Sequence, residues 1–209
     1  MKTQFRVISA CVTWASIILQ YLVLLQVSAL GGVMKITLTY LSYFTVVTNI
    51  FVGLAFTAPF LKTESRLRKI FIRPAVRAAI TLYITIVMIV YWTVLAAIHE
   101  TNGLGALANY GLHLIVPLLF LIDWFVFTPK RNLRFSDLPL WVVYPLLYGV
   151  YTLLRGQVTG TYPYPFLDLS VLGWRHVLLN MCGFVMVYLI GGAVFITLGR
   201  KLPKGATTI

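Results

Sequence analysis

Six apolar runs divide this chain and leave little between them: roughly 6–30, 39–61, 75–98, 109–128, 138–154 and 174–198. A run of about 20 apolar residues crosses the hydrocarbon core of a bilayer as an α-helix, which satisfies its own backbone hydrogen bonds where no water can. The rest of the chain agrees, because 60% hydrophobic residues, 11% charged residues and a mean hydropathy of +0.90 leave too few charges to cover a soluble globule of 209 residues. The expectation is an all-α polytopic membrane protein, a six-transmembrane-helix bundle forming a single domain over residues 1–209. The connecting segments are too short for a second domain and show no internal repeat. The first run is too long for the core of a secretory signal and lacks a small-x-small cleavage site, so it reads as a retained span.

The net charge of +12 raises nucleic acid as a partner, and the positions of the basic residues argue against it. Lys35, Arg155 and Arg175 fall on one side of the expected membrane, and the other fourteen of the seventeen Lys and Arg residues on the opposite side with both termini. They include Lys2, Arg6, Arg77, Lys130, Arg131 and Lys204, with a dense loop at Arg66-Leu-Arg-Lys69. Such a bias in short loops sets orientation, so both termini and the loops after the second and fourth spans are expected to be cytoplasmic. The positive charge is then a topology signal helped by anionic lipid heads, with membrane lipids as partners. Cys11 and Cys182 lie within spans, where neither a disulfide framework nor a metal site is expected.

Ionisable and polar residues inside lipid are expensive, and they mark where a function sits. The expected topology places Thr45, Thr48 and Asn49 on one face near the outer end of the second span. It puts His113 about one turn below the outer end of the fourth span. His99 and Glu100 close the third span on that side, while Arg175, His176 and Asn180 open the sixth. All three histidines therefore gather in the outer leaflet. Asp123 lies roughly 15 Å of helix rise further in. An alcohol needs an adjacent base at neutral pH, and a histidine suits that task, so a hydroxyl facing His113 suggests acyl transfer.

The run NYGLHLIVPLLFLID at 109–123 resembles the signature of the androgen-induced-gene family of six-helix membrane proteins. That signature reads Asn-His-Gly-Met-His, a short run to Pro, and an apolar stretch ending in an acid. The segment YPYPFLD at 162–168 is similar to the family's Tyr-Pro-Phe-Leu-Glu, and YLSYFT at 40–45 is a weaker third match; Tyr110 stands where the family has its first His. Animal members are described as threonine hydrolases of fatty acid esters of hydroxy fatty acids, and this chain looks like a bacterial relative. The resemblance implies a lipid ester substrate, His113 as the essential base and a hydroxyl nucleophile on the second span. Thr45 is favoured by the Phe-Thr pair, Ser42 by strict register, and Thr48 is a third choice. Asn49, Arg175 and His176 are the candidate oxyanion donors, and Asp168 is placed to orient His113. The active site would then face the external leaflet, with no metal and no cofactor.

Each of these residues has a plainer reading. A threonine in a membrane helix ordinarily bonds its own i−4 carbonyl or a neighbouring helix. His99 and His176 at the interface need no special role, and Asp168 equally caps the sixth helix. Asp123 reads as a paired anchor, partly wet because Trp124 and Lys130 follow it. Pro117 and Pro145 are kinks first. The function classes left open are a membrane ester hydrolase, a non-enzymatic lipid or small-molecule binder or transporter, and a bis-histidine haem protein. The haem reading lacks histidines paired in mid-membrane.

Overall fold

The structure is a computed structural model that describes residues 1–27, 32–99, 101–130 and 132–202. Glu100, Arg131, Lys204 and the end of the first expected span lie outside the described residues. Helices make up nearly all of it, with no strand among the described residues. Among the described residues five helices are long and apolar enough to cross a membrane, or six if one bent pair is a single span. The protein is thus an all-α, multi-pass membrane protein. Two compact units divide it, Met1–Asn132 and Leu133–Lys201.

In the first unit α1 (Lys2–Val27) packs on α3 (Phe44–Thr57) and on α6 (Gly103–Tyr110), and α5 (Pro74–Val90) packs on α3 and on α7 (Val116–Phe127). The second expected span is broken. A short helix α2 (Val33–Leu41) meets α3 at 76°, where a straight helix from residue 39 was expected. No Gly or Pro causes this bend. Instead the Ser42 hydroxyl donates to the Thr39 carbonyl at 2.6 Å, the Ser42 and Tyr43 amides make tight i−3 bonds, and Tyr43 turns extended. Tyr40 fixes the bend by donating its hydroxyl to the Ile17 carbonyl of α1 at 2.6 Å. A short α4 (Arg66–Phe71) follows the second span, and its Arg68 donates to the Pro59 and Leu61 carbonyls at that span's end.

The fourth expected span begins six residues earlier than its apolar run suggested, at Gly103. The glycines of Gly103-Leu-Gly-Ala-Leu-Ala resemble a loop in sequence, yet they open a helix, and Gly111 further along lets it come close to α1 at Ser16. His113 consequently lies ten residues, about 15 Å, inside the helix, and not one turn from its end. A π-helical turn, Gly111–Ile115, joins α6 to α7, and another, Tyr91–Leu95, extends α5.

The second unit is a hairpin of α8 (Leu138–Thr159) and α9 (Leu169–Lys201). The fifth helix runs past its expected end near 154 and stops at Gly160, whose φ of 68° a side chain would disfavour. Gly173 is likewise non-helical at φ 68°, ψ 166°, so the long transmembrane helix effectively starts at Trp174, as expected. Leu167, Val177 and Tyr188 are among the residues buried here, and Asn180 donates to the Phe166 carbonyl at 2.9 Å.

Candidate functional site

His113 sits on the π-turn between α6 and α7, and proline chemistry explains how its backbone is used. Pro117 has no N–H, so the carbonyl four residues earlier, that of His113, lacks a helical donor. The Trp92 indole supplies one at 3.0 Å from the facing π-turn. The imidazole stacks on the Tyr91 ring with centroids 3.7 Å apart and planes 20° from parallel. Asn109 in turn donates to the Tyr91 hydroxyl at 2.6 Å. His113 Nδ1 lies 3.1 Å from the Asn109 carbonyl. Since a carbonyl only accepts, Nδ1 carries the proton and the Nε2 lone pair is left available on a half-buried ring.

The hydroxyl candidates lie at the broken span. Ser42 ends α2, Thr45 occupies the first turn of α3, and Thr48 follows one turn on; all three are buried. Asn49 is fully buried, and its Nδ2 donates both to the Thr45 carbonyl at 2.8 Å and to the Leu112 carbonyl at 3.3 Å. This amide ties the Thr45 turn to the residue beside His113, while the imidazole itself lies against Tyr91 of the π-turn that extends α5. With its donors on two carbonyls, Asn49 is left with an unpartnered Oδ1, which accepts and does not donate. Around this junction Ile17, Tyr40, Val46 and Leu112 form an apolar core against which Trp14 and Tyr43 pack.

Asp168, Arg175 and His176 belong to the second unit. Asp168 Oδ1 accepts the Ser170 amide at 2.9 Å and the Ser170 hydroxyl at 2.5 Å, a helix-start arrangement. Arg175 and His176 are exposed, and His176 Nδ1 lies 3.0 Å from the Leu172 carbonyl. His99 is exposed at the end of the third span.

A second polar cluster forms around Asp123, a paired anchor by its sequence, with partners that the sequence does not name. Asp123 is not partly wet: its exposure is 0%. Its carboxylate accepts Arg6 Nε at 2.6 Å, Arg6 Nη2 at 3.1 Å and Arg77 Nη2 at 2.5 Å, with the Thr128 hydroxyl 3.0 Å from Oδ2. Arg6 and Arg77, counted above with the loop charges, are therefore buried partners of one acid. Arg77 also donates to the Ala55 carbonyl at 2.7 Å. Lys130 donates to the Phe125 carbonyl at 2.7 Å, and burial lowers its pKa while the Asp123 carboxylate opposes that shift. The pairing of Arg6 with Asp123 spans 117 positions, so no local pattern announces it. The one sequence signal was an acid in a lipid span, which needs a cation somewhere.

Among the described residues no group of three or more His, Cys, Asp or Glu side chains is placed to hold a metal. The fold defines a multi-pass helical membrane protein with a histidine and an ion-pair cluster inside its first unit. No family model, curated protein or solved structure matches the chain.

Proposed function

We propose that the chain is an integral-membrane hydrolase of lipid esters in which His113 takes the proton of a hydroxyl on the broken second span. Thr45 is the first choice of nucleophile, with Ser42 and Thr48 as alternatives. The observation that carries this reading is the tautomer of His113: Nδ1–H held on the Asn109 carbonyl and the ring held on Tyr91 leave Nε2 as an oriented base. Two further points support it. The Asn49 amide joins the Thr45 and Leu112 carbonyls, so the two turns adjoin. Thr45 also lies in the first turn of α3, where the positive end of the helix dipole favours a developing alkoxide. The resemblance of residues 109–123 to the androgen-induced-gene family signature points the same way.

In this scheme Thr45 Oγ1 attacks the ester carbonyl as its proton passes to His113 Nε2. Collapse expels the alcohol, which takes that proton, and leaves an acyl-threonine. Water then attacks, giving a proton to Nε2, and collapse returns that proton to Thr45 Oγ1 and releases the fatty acid. Asn49 is a poor oxyanion donor because its N–H groups are occupied, and the other candidates, Arg175, His176 and Asp168, belong to the second unit. The charge bias places both termini in the cytoplasm and the site toward the external leaflet, with membrane lipid esters as substrate.

A non-enzymatic lipid or small-molecule binding or transport role is the second reading. It is favoured by the contacts of His113 with Tyr91 and Trp92, an aromatic wall suited to an apolar ligand. Lipid-ester turnover and fluorophosphonate labelling by the purified protein separate the two. Loss of turnover in His113→Ala and in one of Thr45→Ala, Ser42→Ala or Thr48→Ala, with folding retained, is the expected result. Unchanged turnover in all four variants removes the hydrolytic scheme, and a wild type inactive on a broad ester panel favours the binding role.

A further inference from the structure

The cations of the Asp123 cluster are unequally matched. Arg77 has Asp123, the Thr128 hydroxyl at 3.3 Å and the Ala55 carbonyl near the end of α3. Lys130 has the Phe125 and Thr128 carbonyls at the end of α7, where the negative end of the helix dipole favours a cation. Arg6 has Asp123 alone, through Nε and Nη2. That carboxylate already accepts from three residues and fills its capacity of about four lone-pair sites. Arg6 Nη1 has no hydrogen-bond partner among the described residues, although the residue is only 9% exposed. It is absent from the fully enclosed unpartnered atoms, so this edge still reaches the surface. A largely desolvated guanidinium edge left unmatched is costly, and an anion reaching it from outside relieves that cost.

The setting points to the source of that anion. Arg6 lies one turn inside the start of α1, and helical side chains lean toward the N-terminal end, where the helix dipole is positive. Lys2 is one turn earlier on the same face. α1 is a membrane-crossing helix, and its end is where lipid headgroups lie. We propose that the Nη1 edge of Arg6, beside the first turn of α1, holds the phosphate oxyanion of an anionic lipid headgroup. The site is independent of the hydrolytic reading and lies in another part of the unit.

The test is native mass spectrometry of the full chain released from vesicles of phosphatidylcholine and phosphatidylglycerol in equal amounts. Wild type is expected to retain phosphatidylglycerol roughly tenfold over phosphatidylcholine, and Arg6→Lys, which keeps a charge for Asp123 but loses the guanidinium fork, to retain the two about equally. Arg66→Gln/Lys69→Gln, which removes exposed charges of α4 in the loop after the second span, is expected to keep the preference. Equal retention by wild type overturns the proposal whatever the variants do. So does a preference that survives Arg6→Lys and vanishes in the loop variant. Inorganic phosphate that displaces the retained phosphatidylglycerol at millimolar concentration supports the oxyanion site but assigns it to the free ion; no displacement supports the headgroup.

Discussion

Asp123 is the residue on which most buried charge in the first unit depends. It balances Arg6 from α1 and Arg77 from α5, so the acid links three helices through one carboxylate. A buried ion pair of this kind adds little over a well-packed apolar set, but removing one member leaves the others charged in a dry place. Asp123→Asn keeps the shape and removes the charge. It is expected to destabilise the protein by about 3–5 kcal/mol, most of it from two unpaired guanidiniums. Thermal unfolding in detergent reads this as a large fall in midpoint, and an unchanged midpoint would show that water reaches the cluster. This is also where reading from sequence is weakest, because loop counting takes Arg6 and Arg77 for topology charges. Only the folded chain brings partners 117 and 46 positions apart onto Asp123.

At the scale of elements, the spans were legible and their interruptions were not. Apolar runs mark every long helix because lipid leaves the chain few alternatives. The bend at Ser42–Tyr43 carries no Pro or Gly, and depends on Tyr40 reaching a carbonyl of α1. The early start at Gly103 is hidden because Gly103 and Gly105 read as a turn, although both lie in the first turn of α6. His113 was legible as a residue of interest, but Tyr91 and Trp92, which fix its ring and its carbonyl, were not, since nothing local pairs the third span with the fourth. Pro117 is the one local clue: it removes the donor that would hold His113 in a regular α-turn. Pro117→Ala restores that N–H, which competes with the Trp92 indole and favours closing the π-turn into α-helix. Its expected effect is a movement of the His113 ring off Tyr91 without loss of fold. The ring-current shift of the His113 Cε1 proton, assigned with His113→Gln, reports this directly. A signal that stays in place would mean that the aromatic pair alone positions the imidazole.

For the molecule as a whole, the broken second span decides the topology. α3 with its short 3-10 extension, Phe44–Phe60, is close to the minimum length for crossing, and α2 meets it at a steep angle. If the pair crosses, there are six spans and the basic segment at 62–73 lies on the side of the N-terminus. If it enters and returns, there are five, and that segment lies opposite. The charge distribution argues for crossing, because Lys62, Arg66, Arg68, Lys69 and Arg73 then share a side with Lys2, as the positive-inside bias requires. A single-cysteine probe at Lys62, in a chain with Cys11 and Cys182 replaced by Ala, tests this against an N-terminal tag in sealed vesicles. Both are expected to be labelled only after the same side is exposed. Labelling from opposite sides would leave five spans, and would put Thr45 at the deep point of a re-entrant hairpin. In the six-span arrangement α3 and α6–α7 run the same way through the membrane. Their contacts follow that order, with Asn49 beside Leu112 near one end and Ala55 joined through Arg77 to Asp123 near the other. The bend between α2 and α3 is 76°, short of the near-reversal that an entering and returning pair needs, which favours crossing.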